Sequence, residues 1–182
     1  MARKQQSHDT RHASSVLQPF LILIGAFLLI AYLVGALNSG NWLWFSPVQP
    51  DYEPSRILVR DRGQNVEYRP GDPGFSELAA ALDVVLADFT NADLVPLGLS
   101  DVTMQEYQET AVVMEVFYPG SIRFNTPVRM RNLDRLLIPI EGRHAGKGYV
   151  FLGNETRWLS GALVMANPEP LMDALRGLGY IQ

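Results

Sequence analysis

Cysteine is absent from all 182 residues. That removes disulfides, thiolate zinc sites, iron–sulfur clusters and thiol-linked haem together. A folded region in this chain therefore stands on its hydrophobic core alone. Histidine is nearly absent as well: of three in the chain, only His144 lies beyond residue 12. One histidine and no cysteine argue against a metal centre. No Asp- and Asn-rich loop has the calcium pattern either, so neither a metal nor a cofactor is expected. Lysine occurs twice, at Lys4 and Lys147, against thirteen arginines. That bias is one of base composition and weakly suggests a bacterial source. From Asn38 onward, 12 Lys and Arg face 18 Asp and Glu. An acidic balance of −6 excludes the basic stripe that a nucleic-acid surface needs.

Long apolar runs are missing except for one, Phe20–Leu37, eighteen residues without a charge. At 1.5 Å per residue it covers about 27 Å, close to the hydrocarbon thickness of a bilayer. Pro19 is tolerated in a helix's first turn, so the expected anchor spans 16–37. Trp42, Trp44 and Phe45 follow, where amphipathic rings favour the membrane–water interface. Arg3, Lys4 and Arg11 precede the run, and no Lys or Arg follows until Arg56. By the positive-inside rule the expectation is a cell-membrane protein that crosses once. Residues 1–15 form a cytoplasmic tail, and the rest lies outside the cytoplasm. A cleaved signal peptide is the alternative, with small residues at Val34-Gly35-Ala36. The run is longer than a typical signal core, which favours an anchor. Ala31 and Gly35 put small residues on one helix face and are candidates for packing against a second membrane helix.

Residues 38–54 carry Pro47, Pro50 and Pro54 with little periodicity, and read as an extended linker. The domain expected over 55–182 is α+β: a mainly antiparallel sheet of five to seven strands with two helices packed on it. Strands are expected at 56–60 and 66–69 around a Gly63-Gln64-Asn65 turn. Two more are expected at 111–118 and 121–125 around Pro119-Gly120, and another at 133–140. A hairpin is expected at 148–152 and 157–165. Asp72-Pro73 marks a helix start, with Phe75, Leu78, Leu82, Val85, Leu86 and Phe89 at helical spacing. Asn167-Pro168 marks a second helix ending near Gly177. Each helix follows a hairpin, so two ββα units can share one sheet with both helices on one face. Between them, 90–110 is hard to read, with one helical turn expected after Ser100.

The search for chemistry yields little. Gly142-Arg-His-Ala-Gly-Lys-Gly148 resembles a phosphate loop in composition, but three residues separate the first glycines instead of four. Gly148 also stands where Ser or Thr should be. Ser160 lacks the G-x-S-x-G setting of a nucleophile elbow. A carboxylate pair meets only in the fold and cannot be picked from eighteen acids. Asn154-Glu155-Thr156 matches a glycosylation sequon that chance also produces. Arg129, Arg131, Arg135, Arg143, His144 and Lys147 concentrate positive charge over nineteen positions. They are candidates for an anion or partner patch, against the alternative of a solvated strand face. The functional expectation is a non-enzymatic accessory or regulatory subunit of a larger integral membrane protein. A ligand-sensing module that signals to a partner such as a sensor kinase ranks second, and an envelope enzyme with a carboxylate site third.

Overall fold

The computed structural model describes residues 10–91, 93–130 and 132–182. Most of the expected cytoplasmic tail, and Arg131 of the basic group, lie outside them. The first element is a helix, α1 (Thr10–Ser39), longer than the expected anchor at both ends. Pro19 lies well inside it and not in its first turn. Within α1, Leu17–Ser39 is 23 residues long and apolar enough to cross a bilayer, and only Ala36 and Ser39 of it are buried. Its length of about 35 Å suffices for that crossing. Large apolar side chains such as Phe20, Leu23, Phe27 and Leu37 stand exposed all round it. A helix with no polar face is not the surface helix of a soluble domain.

The remainder is α+β. Six strands form one antiparallel sheet: β1 (Arg56–Asp61), β2 (Gln64–Tyr68), β3 (Val112–Ile122), β4 (Leu133–Pro139), β5 (Tyr149–Asn154) and β6 (Arg157–Val164). Their spatial order is β2-β1-β3-β4-β5-β6. Three helices accompany the sheet, α2 (Phe75–Val85), α3 (Asp101–Glu109) and α4 (Glu169–Gly177). That is one more than expected.

Strand alternation divides the sheet's side chains between two cores. Ile57, Val59, Met114, Val116, Leu136, Ile138, Val150, Leu152 and Leu163 point to one face. There they meet Leu78, Leu82 and Val85 of α2 with Leu171 and Leu175 of α4. α2 and α4 also touch each other, so both ββα helices lie on one face. On the other face a smaller core gathers Val113, Leu137, Phe151 and Ala162 under Tyr107 of α3 and Ala111. α3 is a full helix because Ser100 accepts a hydrogen bond from Thr103 N at 3.2 Å, which satisfies a free N–H of its first turn. Its buried residues are only Thr103 and Tyr107.

The other differences from expectation are local. The β1–β2 turn is Arg62-Gly63, one residue early, since Asp61 pairs with Gln64. Both turn residues have positive φ, 48° and 87°, as a two-residue hairpin turn of this hand requires. Pro119-Gly120 does not divide two strands. β3 runs through them, and its pairing with β4 jumps between Phe117 and Ile122, so 118–121 forms a bulge. Asp72 accepts from Arg69 N and closes the turn before α2 instead of capping it; Gly74, at φ 87°, is the cap residue. α2 stops at Val85, and Phe89 instead bridges to Met165 beside β6. Asn167 accepts from Glu169 N at 3.1 Å, but the cap residue of α4 is Pro168, one position later than expected.

Strand directions give the sheet two ends. β1 rises from the end where the segment after α1 enters, and β3 returns there through Arg123–Asn125. The bulge, Asn132 and the β5–β6 turn share this anchor end. The 140–148 loop and the β1–β2 turn occupy the far end.

Candidate functional site

The segment after α1 is no free linker. Residues 40–46 fold back on the helix. The Trp44 ring lies so close over Gly35 that a Cβ there would stand 2.4 Å from it. Tyr32 packs edge-on against Phe45 at 5.8 Å and donates its hydroxyl to Trp42 O at 3.2 Å. Trp42, Leu43, Phe45 and Val48 stay exposed, forming an apolar collar continuous with the helix. The Trp44 indole N–H is buried with no partner among the described residues. Gly35 is thus filled by the chain's own Trp44, whereas Ala31 is exposed.

Beyond the collar the segment is strapped to the domain. Asn41 Nδ2 donates to Asn125 Oδ1 at 2.8 Å and to Phe124 O at 3.3 Å. Asn125 Nδ2 donates to Val48 O at 2.7 Å, and Asn125 N to Gln49 Oε1 at 2.7 Å. Arg123 reaches Gly40 O at 2.5 Å. Tyr52 donates to Arg123 O and accepts from Arg123 N, both at 3.1 Å. Ser55 N closes the strap on Phe117 O at 2.8 Å. Ala36 and Ser39, at the helix end, are buried at 4% and 2% exposure. Anchor and domain form one joint.

The five described residues of the basic group do not come together. β4 separates Arg129 and Arg135, at the anchor end, from Arg143, His144 and Lys147 at the far end. Its seven residues span about 23 Å. At the far end Arg143 is committed to Glu106, with Nε on Oε2 at 3.0 Å and its backbone N on Oε1 at 2.9 Å. Those bonds hold the Glu106 carboxyl below its ordinary pKa.

His144 is held in the left-handed region, at φ 67°, a conformation uncommon outside glycine. Its Nδ1 lies 2.9 Å from the hydroxyl of buried Tyr107. That hydroxyl also lies 2.9 Å from Arg143 O. Both bonds exist together if the hydroxyl donates to the carbonyl and accepts from Nδ1–H. When neutral, the imidazole is then the Nδ1–H tautomer, with its Nε2 lone pair free. Its ring packs near Phe151 at 5.4 Å and Tyr149 at 6.3 Å. Burial, then the Arg143 charge, push the His144 pKa below 6.5, against a smaller opposing pull from Glu106. A lowered folded-state pKa means that the unfolded chain takes up this proton more readily. Stability is therefore lost as pH falls below 6.5, until the folded form also titrates. His144→Asn tolerates the same backbone and cannot titrate. Melting temperature against pH should fall less steeply for this variant between about pH 6.5 and 5; identical slopes would remove the role given to His144.

The remaining polar constellation is one that spacing did not reveal. On the sheet face not covered by α2 and α4, Arg56, Phe117, Arg135, Gly153 and Trp158 are neighbours across five strands. The Arg56 guanidinium lies 3.8 Å above the Phe117 ring, and that of Arg135 lies 4.4 Å above Trp158. Trp158 covers Gly153, where a Cβ would stand 2.5 Å from the ring. Beside this row, the 118–121 bulge, Asn132 and Asp134 wall a groove of about 640 Å³. Only Arg135 of this row was a candidate from sequence. Cross-strand partners can be found only once register is known.

The chain matches no family model, no curated protein and no solved structure.

Proposed function

We propose that this is a single-pass membrane protein of non-enzymatic role, an accessory or regulatory subunit that acts through its helix and its domain on a larger integral membrane protein. The observation that carries this reading is the joint. An apolar helix is locked through Asn41, Gln49, Asn125 and Arg123 to the α+β domain, so displacement of one moves the other. A tether meant only to keep a domain near the bilayer needs no such strap. The same joint supports a retained helix over a cleaved signal. Trp44 seats on Gly35, and Ala36 and Ser39 are buried, so cleavage near Ala36 would strip the domain of packed surface. Arg3, Lys4 and Arg11, ahead of the apolar run Phe20–Leu37, support a domain outside the cytoplasm. The collar Trp42, Leu43, Phe45 and Val48 then lies at the interface.

The exposed faces of α1 that include Ala31 are left for a partner helix. Purification of the tagged chain from its native membrane in mild detergent, with sizing and mass spectrometry, tests the reading. Stoichiometric recovery with a larger membrane protein is the expected outcome. Recovery as a lone monomer would overturn it. A ligand-sensing role is the second reading, favoured by the groove beside Arg135.

A further inference from the structure

Arg135 is an unusual cation. Its guanidinium is stacked on Trp158 at 4.4 Å, and its Nε is buried against Gly153 and Trp158 with no hydrogen-bond partner among the described residues. It forms no ion pair with any described residue, although Asp134 and Glu155 line the same groove. Arg62, Arg69, Arg143 and Arg176 all have carboxylate partners. Stacking fixes the plane of the guanidinium and removes most of the rotamer freedom that a ligand would otherwise have to freeze. A planar, immobilised, unpaired fork beside an open groove is a receptor for a two-oxygen anion. Arg56, one strand beyond Phe117, adds a second positive charge about 10 Å from Arg135 across the sheet. Its guanidinium is itself held on Phe117 and shared with Glu67 at 3.2 Å.

We propose that this groove binds an oxyanion, a phosphodiester or carboxylate, seated on the Arg135 fork. The lining charges narrow the ligand further. Arg56 is shared with Glu67, and Asp134 and Glu155 stand in the lining, so the groove has no net positive charge beyond the Arg135 fork and disfavours a dianion such as free phosphate more than a monoanion. Its place in the fold suggests the source. The groove opens at the anchor end of the sheet, beside the bulge that leads into the strapped segment Arg123–Asn125. A phosphodiester there can come from a phospholipid headgroup of the surrounding bilayer or from a soluble ligand. The site is independent of any partner protein, so its failure and the failure of the subunit reading are separately visible.

The test uses the full chain in maltoside micelles, which carry no phosphate, labelled with 5-fluorotryptophan. Three tryptophans give three fluorine signals, and Trp158 is assigned by W158F. In these micelles, dimethyl phosphate and acetate are titrated. In parallel, phosphatidylglycerol is added stepwise to the micelles with no soluble anion present. The expected result is a saturable shift of the Trp158 signal in at least one series, with a dissociation constant below about 10 mM. Arg135→Gln abolishes the shift. Arg135→Lys, which keeps the charge but loses the fork, weakens binding by about tenfold or more. Arg176→Gln, the same loss of charge on α4, leaves it unchanged. Saturation with lipid alone assigns the headgroup as ligand, and saturation with the soluble anions assigns a free one. A shift that is linear in every series, or persists in Arg135→Gln with the Trp158 signal otherwise in place, overturns the site. Thermal melts of each variant establish that the fold is intact.

Discussion

Replacing Phe151 by alanine should remove about 3–5 kcal/mol of stability, the usual loss when a fully buried aromatic leaves a cavity behind. Phe151 has no exposed surface. Across the sheet it pairs with Leu137 on one side and Ala162 on the other. It belongs to the small core that α3 and Ala111 close from above. Few residues build that core, so nothing nearby can collapse into the space. His144 and Tyr149 rest on the same ring, so the loss should loosen the 142–148 loop as well. Denaturant unfolding of the full chain in detergent, followed by Trp158 fluorescence, measures the effect. Leu152→Ala on the opposite face provides the comparison, at about 2–5 kcal/mol. A Phe151→Ala loss under about 1 kcal/mol would mean that α3 is a loose cover and the sheet has only one working core. For a domain whose total stability is of order 5–15 kcal/mol, the expected loss is about a fifth or more of the whole.

That second core shows where sequence reading fails. α1, α2 and α4 were legible because their apolar residues recur on a helical period or run unbroken. The strands were legible from runs such as Leu133–Ile138. α3 was not, because its buried face consists of Thr103 and Tyr107, one of them polar, and two residues carry no periodicity. The face it covers was hidden for a related reason. In β3 every residue from Val112 to Val116 is buried, and all but Glu115 are apolar, so alternation cannot separate two cores. Pro119-Gly120 was read as a hairpin turn on chemistry that is sound locally. β4 overrides it by pairing with β3 on both sides of the bulge. The basic residues illustrate the same limit: their closeness in sequence follows from lying on and around one strand, which sends them to opposite ends. The Arg135 row could not be foreseen, because each member sits on a different strand and only register makes them neighbours.

Asn125→Ala should uncouple the domain from its anchor while leaving both folded. Asn125 is 9% exposed and is the hub of the strap. Its side chain accepts from Asn41 and donates to Val48 O, and its backbone exchanges bonds with Gln49. Alanine keeps the backbone bonds and removes two side-chain bonds, leaving Asn41 Nδ2 with Phe124 O alone and Val48 O with the Ser46 hydroxyl alone. Each lost bond costs about 0.5–1.5 kcal/mol, so the loss falls on the joint and not on either core. The expected outcome is local: residues 40–50 become cleavable by protease in nanodiscs, while the domain's global unfolding midpoint moves little. Asn41→Ala should resemble it, since it removes the bonds to Asn125, Phe124 O and Leu43 N while Asn125 stays on Val48 O. Spin labels at the exposed positions Val48 and Val84 report the same event as a broadened distance distribution. If coupling is what the protein uses to act on a membrane partner, Asn125→Ala retains binding through α1 and loses its effect on that partner. An unchanged protease pattern and an unchanged distance distribution would show that helix packing at Ala36, Ser39 and Gly35 holds the joint by itself. The hydrogen-bonded strap would then be secondary.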